Sequence, residues 1–251
     1  MIALQLYTIR ALLQDASQLG GVLGRVRDIG YRTVEVAGLG PGAVDRFGEE
    51  MRRSDLTACA AHVSYERLAA DPESVAAECT DWGCQYVVVP AVPDTYRSAD
   101  GYRRFASEAA ELAERLRPSG LRLAYHNHAY ELERYGGRTG LELVFEPGEL
   151  DAELDTYWLQ FGGVNPAAWI RKLKGRVPLV HLKDLAVVAG SPVDAPVGEG
   201  NLDWSDILNA CSEAGTRWLV VEQDDPGDDP MEKIASSYRN LERFTAQAGR
   251  P

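Results

Sequence analysis

Val177-Pro178-Leu179-Val180-His181-Leu182-Lys183-Asp184 is the stretch on which the fold turns. It is a short apolar run that ends in polar residues. Side chains alternate along a strand, so Val177, Leu179, His181 and Lys183 share one face while Val180 and Leu182 share the other. The same layout recurs along the chain. Strands are predicted at 2–7, 33–36, 56–62, 86–90, 121–127, 150–155, 177–182 and 218–223. Amphipathic helical patterns lie between them at 19–29, 43–54, 72–82, 99–116, 166–173, 204–214 and 230–246, and a short one at 140–145. Gly30, Gly83, Gly175 and Gly215 each follow a helical segment, where left-handed backbone is commonly needed. Gly120, behind Pro118, reads as the turn into the fifth strand.

Eight strands alternating with helices, with no composition break, predict an α/β fold: a single-domain (β/α)8 TIM barrel over 1–251. A dinucleotide-binding open sheet would carry a glycine-rich turn after its first strand. Tyr7-Thr8-Ile9-Arg10 stands there instead.

The formal net charge of −12 disfavours nucleic acid and anionic membrane, which are held by clustered Lys and Arg. Cys59, Cys79, Cys84 and Cys211 show no CxxC spacing and read as core packing. Met1-Ile2-Ala3-Leu4 lacks a basic leader region, and the run around Val87-Val88-Val89 is far too short to span a bilayer. A reduced cytoplasmic location and a small-molecule partner are expected, a homo-oligomer is left open, and disorder is expected only at 247–251.

The chemistry is in where the polar residues fall. In such a barrel the active site lies at the C-terminal ends of the strands. His62 ends the third strand, His126 and His128 the fifth and His181 the seventh, while Glu35, Asp155 and Glu222 lie on the second, sixth and eighth. Trp218, Val220 and Glu222 share a face. If these faces point to the axis, His181, Asp155 and Glu222 converge, a set suited to one divalent metal ion: Mn²⁺, Mg²⁺, Co²⁺ or Zn²⁺. Such an ion would hold vicinal oxygens of a sugar or polyol and stabilise an enediolate, with a carboxylate moving the proton.

The chain resembles the xylose isomerase-like barrel superfamily, in its sugar phosphate isomerase/epimerase branch. The resemblance rests on residues 4–10, Gly30-Tyr31, Val34-Glu35, Tyr125-His126-Asn127-His128 with Glu131, Leu154-Asp155-Thr156-Tyr157-Trp158, His181-Leu182-Lys183-Asp184, Val197-Gly198-Glu199-Gly200 and Val221-Glu222-Gln223-Asp224. It implies metal ligands Glu131, Asp155, His181 and Glu222, with Glu131 and Glu222 as the acid/base pair. Related enzymes carry the first glutamate on the fifth strand itself. Glu131 lies past the strand end, so the backbone must fold back to present it; otherwise His126 or His128 takes its place.

Around this set, His62, His126, His128, Lys183, Glu35 and Tyr157 are candidate substrate-binding residues. A lysine pointing into a barrel needs an anionic partner. Glu35 has a structural alternative, pairing with Arg10 or Lys183. Tyr157 and Trp158 either line the pocket or pack the barrel top. The Val197–Gly200 motif is either a turn before a helix capped around Asp203 or a loop over the site. The expected activity is that of an isomerase or epimerase moving a proton next to a carbonyl. Dehydration of a keto-inositol by the same site is the alternative. An abasic-site endonuclease is disfavoured by the charge and by having only four histidines, and a barrel that binds without turnover by its intact ligand set.

Overall fold

The computed structural model describes residues 1–248, so the end of the segment expected to be disordered, 249–251, lies outside the described residues. The first half of the chain runs β1 (Ile2–Gln5), α1 (Leu19–Ile29), β2 (Thr33–Val36), α2 (Val44–Arg53), β3 (Thr57–His62), α3 (Tyr65–Ala70), α4 (Pro72–Asp81), β4 (Tyr86–Val89), α5 (Ala99–Leu116) and β5 (Arg122–His126). A small hairpin follows, β6 (Arg134–Tyr135) and β7 (Arg138–Thr139), and then α6 (Gly140–Val144), β8 (Asp151–Asp155), α7 (Thr156–Phe161), α8 (Pro166–Lys172) and β9 (Leu179–Leu182). A second hairpin, β10 (Asp184–Val188) and β11 (Ser191–Ala195), precedes α9 (Trp204–Ala214), β12 (Trp218–Val221) and α10 (Pro230–Ala248).

The eight longer-range strands β1, β2, β3, β4, β5, β8, β9 and β12 form one closed parallel ring in that order, and β12 pairs back onto β1 through Ile2 and Leu219. This is the expected (β/α)8 TIM barrel. Period-two alternation sorts each strand between two cores. Ala3, Cys59, Ala60, Tyr86, Val88, Ala124, Leu179, Trp218 and Val220 fill the barrel axis. Their neighbours, such as Leu123, Leu154, Val180 and Leu182, join the larger core between barrel and helices. The apolar plug occupies the lower part of the axis, and the strand ends above it are free to carry polar side chains.

Two local features near the site depart from expectation, and a third meets it. The first strand stops at Gln5 rather than running to Tyr7. Its side chain accepts a hydrogen bond from the Tyr7 amide at 3.1 Å and starts a 3-10 turn over Leu6–Leu13. Asp184–Ala195, past the seventh barrel strand, is an antiparallel hairpin rather than open loop. The short helix α6 does form, behind a reciprocal cap between Thr139 and Glu142. Where glycine was expected to end helices, Gly215 does so in left-handed geometry at φ 78°, its amide donating to Cys211.

The Val197–Gly200 motif resolves to the turn. The Asp184 carboxylate accepts from the amides of Leu185, Gly198, Gly200 and Leu202 and from the Trp204 indole. A Cβ on Gly200 would come within 2.4 Å of Asp184 Oδ1, so only glycine fits there. Asp203 then caps α9 by accepting from the Asp206 amide at 3.0 Å. All four cysteines are free and buried, and among the described residues no helix is long and apolar enough to cross a membrane.

Candidate metal centre

The inward faces of the strands carry a dense polar layer directly above the apolar plug. Glu35, Glu153, Asp155, His181 and Lys183 are fully buried, and His126 and Glu222 nearly so. Asp155 sits where β8 ends and α7 begins. Its Oδ1 caps α7 by accepting from the Trp158 amide at 2.8 Å, and its own amide donates to Asn127 at 3.0 Å. Thr156 clamps the neighbouring strand end by donating to the His181 and Lys183 carbonyls. These bonds fix the height of Asp155 against His181, its register partner.

His181 is the centre of the layer. Nδ1 lies 2.9 Å from Glu222 and 4.0 Å from Asp155, while Nε2 lies 2.6 Å from Glu35 and 3.1 Å from Glu153. Glu153 Oε2 also takes His62 Nε2 at 2.7 Å and His126 Nδ1 at 3.2 Å, so one oxygen meets three imidazoles. The His62 ring stacks on His181, centroids 5.4 Å apart. Lys183 Nζ lies 3.2 Å from Asp155, 2.9 Å from Glu222 and 2.7 Å from Asp224. The anionic partner that a buried lysine requires is thus supplied threefold.

Burial opposes charge on His181, but the Glu153, Glu222 and Glu35 carboxylates outweigh it and hold the ring well above its ordinary pKa. Lys183 is held up in the same way by Asp155, Glu222 and Asp224. Glu222 is held well below the usual carboxylate range, because Lys183 and His181 overcome its burial. Burial raises Glu35 to about 7, with Glu153 adding to it, and Asp155 to about 6. For His126 burial prevails and keeps the ring neutral, which is the form that binds a metal. Burial likewise lowers His128 to about 4.

One ligand atom each from His126, Asp155, His181 and Glu222 lies within 4.8 Å of the others. A cation fits this set by its donor chemistry: two imidazole nitrogens and two carboxylates converge in one buried layer, and Asp155 Oδ2, with Lys183 Nζ 3.2 Å away, makes no hydrogen bond that a cation would have to break. Two imidazoles and two carboxylates form a mixed nitrogen and oxygen set of the kind that holds a divalent ion. With His126 Nδ1 and His181 Nε2 turned to Glu153, each ring keeps its other nitrogen for a ligand. A second set, His62, His126, Glu153 and His181, is also within range. It draws on the same two rings, and we read it as the carboxylate support of the first set.

The structure therefore brings together three of the four residues expected as ligands and leaves out the fourth. Glu131 is buried outside the cluster, accepting from the Tyr125 hydroxyl at 2.5 Å and the His128 amide at 2.9 Å. Tyr125 is on the helix-facing side of β5, packed on Phe105 and Phe145. The backbone does fold back after the strand, but to this side, and His126 stands in the cluster instead. Glu35 pairs with His181 and His62 rather than with Arg10 or Lys183. His62, His126 and His128 line a cleft over the cluster with Tyr7, Gly38, Pro90, Ala91, Glu222 and Asp224. Tyr157 lines an adjoining cleft with Trp158. Sequence reasoning did not single out Glu153, although it lies two residues from Asp155 on the same strand face. Asp224 was named only as the end of the Val221–Asp224 motif, without a role at the site.

With fold and site described, the chain belongs to the xylose isomerase-like TIM barrel family, whose model matches residues 23–244. Rhizopine catabolism protein MocC of Rhizobium meliloti is 28% identical over 177 residues, an alignment covering 59% of this chain and 51% of that protein. The chain thus spans about half the length of the curated relative that it matches. A solved sugar phosphate isomerase/epimerase from Parabacteroides distasonis superposes with a TM-score of 0.78 at 20% identity, covering 100% of this chain and 98% of that one. The IolI protein, solved with a zinc atom, gives 0.74 at 16% identity, with 98% of each chain covered. At such identities the likeness to the two structures is one of fold.

Proposed function

We propose that the chain is a metal-dependent isomerase or epimerase that moves a proton next to the carbonyl of a sugar or polyol-derived substrate. The observation that carries this reading is the buried convergence of His126, Asp155, His181 and Glu222. The family match and the zinc atom in the IolI structure support it. A bound divalent ion supplies Lewis acidity, lowering the cost of negative charge on the substrate's vicinal oxygens.

The remaining work falls to the protein's own side chains. Glu222 is kept ionised by Lys183 and His181 at the floor of the cleft, so it is the base that takes the proton. Glu131, with both oxygens engaged beyond the cluster, is not its partner. His128, neutral and lining the same cleft, is placed to hydrogen-bond a substrate hydroxyl. The nearest cations are engaged: Arg10 donates to the Tyr7 and Asp224 carbonyls, and Lys183 to its carboxylates. A phosphate therefore finds no free partner from either, and a neutral hydroxylated substrate suits the site better.

The test is exchange of solvent deuterium into ketoses and keto-inositols by the Mn²⁺-supplied protein. Exchange without loss of water supports the proposal, whereas net dehydration of a keto-inositol shifts the reading to a dehydratase. Protein that carries metal but exchanges nothing sinks both.

A further inference from the structure

The cleft over the metal cluster does not end at its rim. A second cleft, walled by Tyr157, Trp158, Val193, Asp194 and Asp225, shares His128 and Asp224 with the first. The two are lobes of one depression, and a substrate with its reacting carbon over the cluster has open space beside it toward α7 and β11.

The chemistry of the outer lobe is mixed. Asp194 and Asp225 present carboxylates, while the Trp158 indole nitrogen and His128 Nδ1 are buried polar atoms without hydrogen-bond partners. Tyr157 and Trp158 supply aromatic surface, their ring centroids 4.9 Å apart. A cationic group would use the acceptors and aromatic faces but leave the indole N–H orphaned. An anionic group would be repelled. A hydroxylated ring has C–H surface to lay against the aromatics, and hydroxyls that both donate to carboxylates and accept from the indole.

We propose that the substrate has two parts, with a second uncharged, polyhydroxylated ring bound in the lobe made by Tyr157, Trp158 and Asp194. The preferred substrate is then a glycoside or disaccharide-like molecule, bound more tightly than a free monosaccharide that fills the inner lobe alone. This rests on the proposed sugar-directed reading of the metal cluster, which supplies the first ring's position.

The experiment is a titration of the Mn²⁺-supplied protein with trehalose, maltose, cellobiose and lactose, each compared with glucose, galactose and glucosamine. Saturation-transfer NMR identifies which ring touches protein. At least one disaccharide is expected to bind tenfold or more tighter than its component monosaccharides, with saturation on both rings. Trp158→Ala is expected to abolish that gain. Because Trp158 Nε1 and the ring are both lost in that variant, Trp158→Phe separates them and should retain part of the gain. No gain for any disaccharide, a gain that survives Trp158→Ala, or a preference for glucosamine over glucose as large as tenfold overturns the two-ring assignment. Failure here leaves deuterium exchange into simple ketoses untouched, so it is distinguishable from failure of the proposed reaction.

Discussion

Glu131 accepts a hydrogen bond from the Tyr125 hydroxyl at 2.5 Å, on the side of β5 that faces the helices and away from the axis. His126, one residue on from Tyr125, faces the axis because successive strand residues point to opposite sides. Metal content separates the two residues. Purified His126→Ala should hold substoichiometric metal and bind Zn²⁺ at least tenfold more weakly, while Glu131→Gln should retain the metal of the unaltered chain. Elemental analysis of both reads the outcome, and loss of metal from the Glu131 variant alone would falsify the ligand set.

The same glutamate makes stability depend on pH. Burial raises Glu131 to about 7, from an unfolded value near 4.5. Between those values the folded state binds the extra proton, so this group's contribution is full below about pH 4.5 and is lost as pH rises through about 7. The size is about 3 kcal/mol. Denaturant midpoints of Glu131→Gln, relative to the unaltered chain, should therefore improve from pH 5 to pH 8. A constant offset would assign the pH dependence elsewhere.

Lys183 neutralises Asp155, Glu222 and Asp224 from within the barrel. Lys183→Met leaves buried carboxylates facing one another, at a cost of roughly 3 kcal/mol or more. In metal-free protein that lowers Tm by about 10 °C. A cation bound by Asp155 and Glu222 restores part of the lost charge balance. Added Zn²⁺ should thus raise the Tm of the variant more than that of the unaltered protein, and equal increments in scanning calorimetry would count against a cation at those carboxylates.

Glu222 is both a proposed ligand and the proposed base, so its variant is read at saturating Mn²⁺. Glu222→Gln removes the base while keeping shape, so solvent deuterium exchange should fall by about 10²–10⁴. The far-ultraviolet circular dichroism spectrum should remain that of the folded barrel. Undiminished exchange would move the base to another side chain.

Asp184 gathers five donors onto one buried carboxylate. Asn in its place offers a single oxygen and turns an N–H₂ toward donors, which costs about 1–3 kcal/mol for each buried donor left unsatisfied. Asp184→Asn should lower the denaturant midpoint sharply. Amide hydrogen exchange should rise first at residues 198–202, since those amides lose their acceptor. Uniform protection there would show that the turn holds without it.

The barrel was legible because its strands share a pattern that needs no partner to be recognised: apolar alternation closed by a polar residue, as in Leu179-Val180-His181 followed by Lys183. The convergence of Asp155, His181 and Glu222 followed from the same periodicity. Glu131 was not legible, because its direction depends on the turn after β5 and on a tyrosine reached only in three dimensions. Glu153 was hidden differently. Period two places it on the inner face, but its role comes from three rings on other strands. The β10–β11 hairpin escaped because Asp184-Leu185-Ala186 reads as the tail of a strand and Gly190 as ordinary loop.

The single oxygen of Glu153 shared by His62, His126 and His181 ties the fates of those histidines. Replacing any one ring disturbs the proton arrangement of the other two, so the floor of the barrel resists piecemeal change. New specificities in descendants of this chain are more readily reached by altering the segments past β8, β9 and β12, where Tyr157, Asp194 and Asp225 can vary without unsettling that shared oxygen.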